Sequence, residues 1–253
     1  MEQESDAGAN SLPDTAEPVV LYEDKDIIVL DKPAGLAVHA DGRHERATLV
    51  DWLSVNYPEL KGVGEEQTLS DGTIIDRPGI VHRLDRLTSG VIVVARTQAS
   101  FEFLKSQFQA REVKKVYRAF VYGALKEERG IIDRPIGSAR GGLGPRTATR
   151  PHGVERDAQT VYRVIKNGRD AAYVEAFPKT GRTHQIRVHF SAIQHPLVCD
   201  TLYAPSRKPI LGFTRLALHA YSVSFKHPDG RAVVFEAPLP PDFVEAERQL
   251  QAS

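Results

Sequence analysis

Short apolar runs, each closed by charged or turn-forming residues, recur along this chain and predict its secondary structure. Val19-Val20-Leu21-Tyr22 and Ile27-Ile28-Val29-Leu30, parted by a charged turn and stopped at Lys32-Pro33, predict two buried strands. Residues 91–95 predict a third, after which Thr97 stands as an N-cap and Phe101, Leu104 and Phe108 share one face of a helix. Residues 116–122 are β-branched and aromatic, end at Gly123, and predict another strand. Further strands are expected over 160–165, 172–177, 217–225 and 233–236, with a short helix between them that Thr183 caps and that turns Ile186, Phe190 and Ile193 inward. Residues 57–79 have no sustained period and end at Arg77-Pro78-Gly79, which is loop chemistry. Strands and helices interspersed without βαβ alternation, and without a repeat, predict an α+β fold.

Two segments break the pattern. Residues 1–18 set Glu2, Glu4, Asp6, Asp14 and Glu17 among Gly, Ser, Ala and Pro, a mixture expected to form a disordered acidic leader ahead of one domain over 19–253. Residues 136–158 interleave Gly137, Gly141, Gly142, Gly144, Pro145 and Pro151 with Arg140, Arg146, Arg150 and Arg156, and read as a mobile basic surface loop. Gly141-Gly142-Leu143-Gly144 is only a weak phosphate-loop signal, because no strand-to-helix context surrounds it.

Composition narrows the classes. The chain has 253 residues and 41% hydrophobic content, enough for a substantial core. Lys plus Arg equals Asp plus Glu at 33 each, so any anion site has to be local. A single cysteine, Cys199, excludes an intrachain disulfide and a cysteine cluster for zinc, and a small buried thiol is its expected role. No apolar run approaches a membrane span and no basic-then-apolar signal opens the chain, so a cytoplasmic location is expected. His184 and His189 lie five apart, on different helical faces, and do not read as a metal pair.

The densest chemistry lies in Val81-His82-Arg83-Leu84-Asp85-Arg86-Leu87-Thr88-Ser89-Gly90, between a Pro-Gly turn and an apolar strand. By itself, an aspartate flanked by two arginines is more often a surface ion pair than a catalyst. The segment, however, resembles the signature H-R-L-D-x-x-T-S-G of the RluA-type pseudouridine synthases at all of its specified positions. The resemblance continues in order through Leu30-Asp31-Lys32-Pro33-Ala34-Gly35, Lys114-Lys115-Val116-Tyr117-Arg118-Ala119, residues 181–189 (Gly-Arg-Thr-His-Gln-Ile-Arg-Val-His) and Leu218-His219-Ala220. Colinear blocks of this kind are far more specific than a lone motif.

That resemblance implies a mixed, mainly antiparallel central sheet flanked by helices and split by an active-site cleft. It implies an enzyme that isomerises uridine in structured RNA, ribosomal or transfer, without metal or redox cofactor, since nothing is oxidised or hydrolysed. By similarity, Asp85 is the catalytic carboxylate, Arg187 the cation that pairs with it, and Tyr117 the active-site tyrosine, whose ring stacks on the base while its hydroxyl assists proton loss at carbon five. Arg83 is expected to fill the space left by the extruded base, with His82 and Thr88 bracing the loop. Lys32, Arg86, Lys114, Lys115, Arg182 and His184 are the remaining candidates for RNA contact, alongside the arginines of 136–158. Cys199 and Ala204 stand where relatives commonly have glycine, differences expected to touch packing rather than chemistry. No small N-terminal RNA-binding module is expected ahead of the domain. Two other classes fit less well: an RNA-binding or RNA-chaperone protein on the same scaffold, which would not need Asp85, Tyr117 and Arg187, and a two-metal nuclease, which would need clustered carboxylates.

Overall fold

The structure is a computed structural model that describes residues 16–39, 47–65, 67–68, 72, 74–75, 77–138, 146–149 and 152–252. The expected leader therefore lies almost wholly outside the described residues, as do Arg140, Arg150 and the Gly141–Gly144 cluster. In chain order the elements are β1 (Val19–Glu23), β2 (Ile27–Lys32), α1 (Leu49–Asn56), β3 (Gln67–Thr68), β4 (Ile74–Ile75), β5 (Ser89–Ala95), α2 (Gln98–Gln109) and β6 (Lys114–Tyr122). They continue as β7 (Arg129–Asp133), β8 (Ile136–Ser138), β9 (Arg146–Thr147), β10 (His152–Arg156), β11 (Gln159–Asn167), β12 (Ala171–Pro178), α3 (Gln185–Ala192), β13 (Leu218–Lys226), β14 (Ala232–Glu236) and α4 (Pro241–Ala252).

One nine-stranded sheet runs in the order β1-β2-β5-β13-β6-β12-β11-β7, with β14 added to β13. Its ladders are antiparallel except for β13 against β5, so the sheet is mixed and mainly antiparallel, as expected. The central strands read as continuous apolar runs because both faces are covered: β5 is buried along its whole length. Thr97 does cap α2, accepting from Ser100 N–H in a capping box.

Two expectations need correction, and two elements were not anticipated. Thr183 does not cap α3; His184 does so in a left-handed conformation (φ 56°) with no side-chain cap. The segment 136–158 is not a plain loop, since β8, β9 and β10 form a three-stranded sheet and Ile136, Ala148 and Ala158 bury against Val188 of α3. Two helices lie where no periodicity marked them. In α1 a capping box joins Thr48 to Asp51 and buries Leu49 and Leu53; α4 buries Phe243, Ala246 and Leu250.

The core is divided. One cluster packs α1 and α2 on β2 and β5; a second lies around β6, β12 and α3. Leu84 belongs to the first, Leu87 packs against the second, and Tyr117 touches both. The Asp85 loop therefore straddles the seam between the two halves.

Gly90 closes that loop, with φ 112° and with Ala220 of β13 so near that an added Cβ would lie 2.7 Å from the Ala220 nitrogen. Gly90→Ala is expected to destabilise the fold by more than about 4 kcal/mol in urea unfolding. Gly181→Ala, where an added Cβ meets nothing within 4 Å, should stay within about 1 kcal/mol of the parent.

Candidate active site

The Asp85 loop is fixed from beneath before any catalytic geometry arises. Thr88 N–H donates to Asp85 O at 3.0 Å, making a tight turn, and Gly35 N–H donates to Arg86 O at 2.8 Å. Lys32 Nζ donates to Pro33 O (2.8 Å), Leu36 O (2.8 Å) and Arg86 O (3.3 Å). This lysine is completely buried and offers no surface to RNA, which corrects the expectation for it. Its charge is spent on three backbone carbonyls of two adjoining loops. Burial pushes its pKa down to about 7, against the attraction of Asp85.

His82 and His219 brace the same region as neutral rings. His82 Nε2 accepts from Val93 N–H at 2.9 Å and the ring stacks on Phe108. Burial, then the charge of Lys115, pushes its pKa down to about 3. His219 Nδ1 lies 2.9 Å from Ser89 Oγ and Nε2 lies 3.4 Å from Ala237 O. Burial pushes His219 down to about 4, so Ser89 O–H donates to Nδ1 and Nε2–H faces the carbonyl. The Leu218-His219-Ala220 block thus ties β13 to the Ser89-Gly90 end of the loop.

Opposite the loop, Arg187 projects from α3. Its Nε and Nη2 each donate to Asp200 at 2.8 Å, a bidentate pair, and Nη1 lies 3.4 Å from Asp85 Oδ2. Asp200 is 1% exposed and also accepts from the backbone N–H of Leu202 (3.0 Å) and Tyr203 (3.1 Å). Burial works against the charge on Arg187, but Asp200 and then Asp85 outweigh it and raise its pKa. Asp200 is the residue that sequence reading missed. Its neighbour Cys199 holds φ 56°, where relatives' glycine would sit without strain, and this turn aims the Asp200 carboxylate at α3.

His184 Nε2 lies 4.0 Å from Asp85 Oδ1, and Nδ1 lies 3.1 Å from Tyr203 Oη. Burial lowers its pKa despite the pull of Asp85, so it faces the carboxylate as a neutral ring. Gln185 locks the approach to α3, accepting from Thr180 Oγ1 and Arg182 N–H and donating to Gln159 O.

These groups surround a cleft of about 540 Å³, large enough to admit a nucleotide. Asp85, Tyr117, Arg187, Arg83, Lys115, Arg182 and His184 all line it. Arg86 and Lys114 are exposed but lie off its wall, Lys114 because strand alternation turns it away from Lys115. Tyr117 is held in its protonated form, its pKa raised by burial and then by the nearby Asp85 charge. Among the described residues the only trio of neighbouring metal-ligand types is Asp24, Asp26 and His227. None of them lines the cleft.

A seam-spanning cleft with one carboxylate, a clamped arginine and a phenol on a mixed sheet defines a class, and comparison with known proteins agrees. Residues 26–192 match the RNA pseudouridylate synthase family, and the chain belongs to it. It is 39% identical over 240 residues to an uncharacterized RNA pseudouridine synthase of Bacillus subtilis, covering 93% of this chain and 75% of that one. It is 36% identical over 266 residues to ribosomal large subunit pseudouridine synthase D of Pseudomonas aeruginosa, covering 96% and 75%. Another relative, an uncharacterized RNA pseudouridine synthase of Synechocystis, is 36% identical, and this chain spans 66% of its length. The fold superposes on human RNA pseudouridylate synthase domain containing 4 with a TM-score of 0.71 at 26% identity, covering 92% of each chain. The chain is thus a pseudouridine synthase, an isomerase acting on RNA. No helix among the described residues is long and apolar enough to cross a membrane.

Asp200→Asn replaces an acceptor with a donor facing Arg187, and is expected to slow single-turnover conversion by about 100-fold with RNA affinity changed less than about threefold. Rapid-quench assays and filter binding on the folded variant check this split. Lys32 supplies a pH signature: between pH 7 and 10.5 the unfolded chain holds a proton that the folded chain has lost, so its contribution to stability rises with pH. The unfolding free energy of the wild type relative to Lys32→Met should grow from pH 7 to 9, by at most about 1.4 kcal/mol per pH unit, in urea titrations.

Proposed function

We propose that the chain isomerises uridine in ribosomal RNA, in the cytoplasm, with Asp85 as the carboxylate that acts on an extruded nucleotide. The observation that carries this is Asp85 facing a cleft large enough to admit a nucleotide, with Arg187 Nη1 at 3.4 Å and Tyr117 on the same wall. Relatives named for the large ribosomal subunit support the choice of RNA.

In the reaction the bond between ribose C1′ and uracil N1 breaks, the base turns, a bond from C1′ to C5 forms, and the proton of C5 is lost while N1 gains one. Atoms and electrons balance within the nucleotide. A carboxylate facing the sugar serves either available route, covalent attack or removal of a ribose proton to give a glycal. Arg187 offsets the negative charge that closure around the base would desolvate. Tyr117 offers a ring face to the turning base. Because its hydroxyl stays protonated, it takes the C5 proton only by giving up its own in the same step. Arg83, exposed at the rim, is suited to fill the stack that the base leaves. Arg182 and His184 line the same rim and approach the nucleotide.

Asp85→Asn is expected to retain RNA binding while conversion falls by about 1,000-fold or more, measured by pseudouridine mapping and gel shift. The variant should fold, since Asp200 continues to neutralise Arg187. A wild type that binds RNA yet converts no uridine in any cellular RNA would instead favour a binding or chaperone role on this scaffold.

A further inference from the structure

The wall of the cleft beyond Tyr117 carries a cation that chemistry at the target uridine leaves unused. Strand alternation puts Lys115 on the same face of β6 as Tyr117, about 7 Å further along the strand. Both residues line the cleft. The Lys115 ammonium makes no hydrogen bond or ion pair among the described residues, while its backbone pairs with Val223 of β13. It is also largely withdrawn from water, and burial lowers its pKa. An ammonium drawn into a concave wall with no ion-pair partner among the described residues is costly until an anion meets it.

Its neighbours suit a nucleotide. Phe108 and His82 stack with ring centroids 4.8 Å apart and an interplanar angle of 21°, and both line this wall. Beyond them α2 ends in a Schellman turn, with Glu112 N–H donating to Gln107 O and Arg111 N–H to Phe108 O. Arg111 occupies the left-handed position of that turn (φ 61°), which glycine fills at least cost. Instead it holds an exposed guanidinium that lines the same wall.

We propose that this wall is a second nucleotide subsite, in which Lys115 and Arg111 hold the phosphate of a residue flanking the target uridine and the Phe108–His82 pair supports its base. The subsite rests on the reading of this cleft as an RNA site and assigns it a second contact. Aromatic support with an adjacent cation is sequence-tolerant, so it fixes the register of the strand rather than the identity of the flanking base.

Binding of the full chain to its substrate RNA, measured from 50 to 300 mM salt, tests this with Lys115→Met, Lys115→Arg and Phe108→Leu. Lys115→Met is expected to weaken binding about 10-fold and to make the slope of log K against log salt shallower by about one, while kcat at saturating RNA stays within about threefold. Lys115→Arg should restore both quantities. Phe108→Leu, which keeps an apolar side chain against the core, should weaken binding about fivefold without altering the salt slope. Unchanged affinity and slope in Lys115→Met would overturn the proposal, and so would a fall in kcat without a fall in affinity. Failure of the wild type to convert any uridine would sink the reading of function instead, and the binding measurements would still decide the subsite.

Discussion

The site depends on how Arg187 is held. Two of its nitrogens are occupied by Asp200, and only Nη1 is left to face Asp85. Buried ions lose several kcal/mol of hydration each, so an arginine here requires a partner that satisfies it independently of the substrate. Asp200 does this, and two backbone N–H groups fix Asp200 in turn. The consequence is a cation whose direction is set by the fold, while Asp85 keeps a looser 3.4 Å contact and 20% side-chain exposure toward the cleft.

The Asp85 loop is positioned with the same economy of parts. Leu84 and Leu87 anchor it to different halves of the core, Lys32 ties it to the loop after β2, and Gly90 lets β13 approach where any side chain would collide. The blocks of sequence spread from Lys32 to His219 therefore converge for one reason. Lys32 and His219 tether the turn that carries the carboxylate, and Arg187 and Tyr117 face it across the cleft.

Much of the sheet was legible because its strands are buried on both faces and so appear as uninterrupted apolar runs, as in residues 27–30 and 91–95. The helices α1 and α4 were not: α1 is only eight residues long with apolar residues on more than one face, and α4 buries few residues among its charges. The trio Asp85, Tyr117 and Arg187 became visible through family resemblance; residue types alone would have left an ion pair and a core tyrosine. Lys32 was misread because a lysine before a proline looks the same whether its ammonium meets water or backbone carbonyls. Asp200 was passed over because nothing local marks an aspartate whose partner lies thirteen residues earlier across a turn. Thr183 offered a good cap on paper, yet the left-handed His184 starts the helix and turns its ring toward Asp85.

A double-mutant cycle between Asp200 and Arg187, read in single-turnover conversion of the substrate RNA, tests this account most directly. If Asp200 acts by holding the guanidinium, Asp200→Asn in an Arg187→Lys background adds less than about threefold to the loss caused by Arg187→Lys alone. Losses that multiply in full would contradict it and separate the two residues into independent roles.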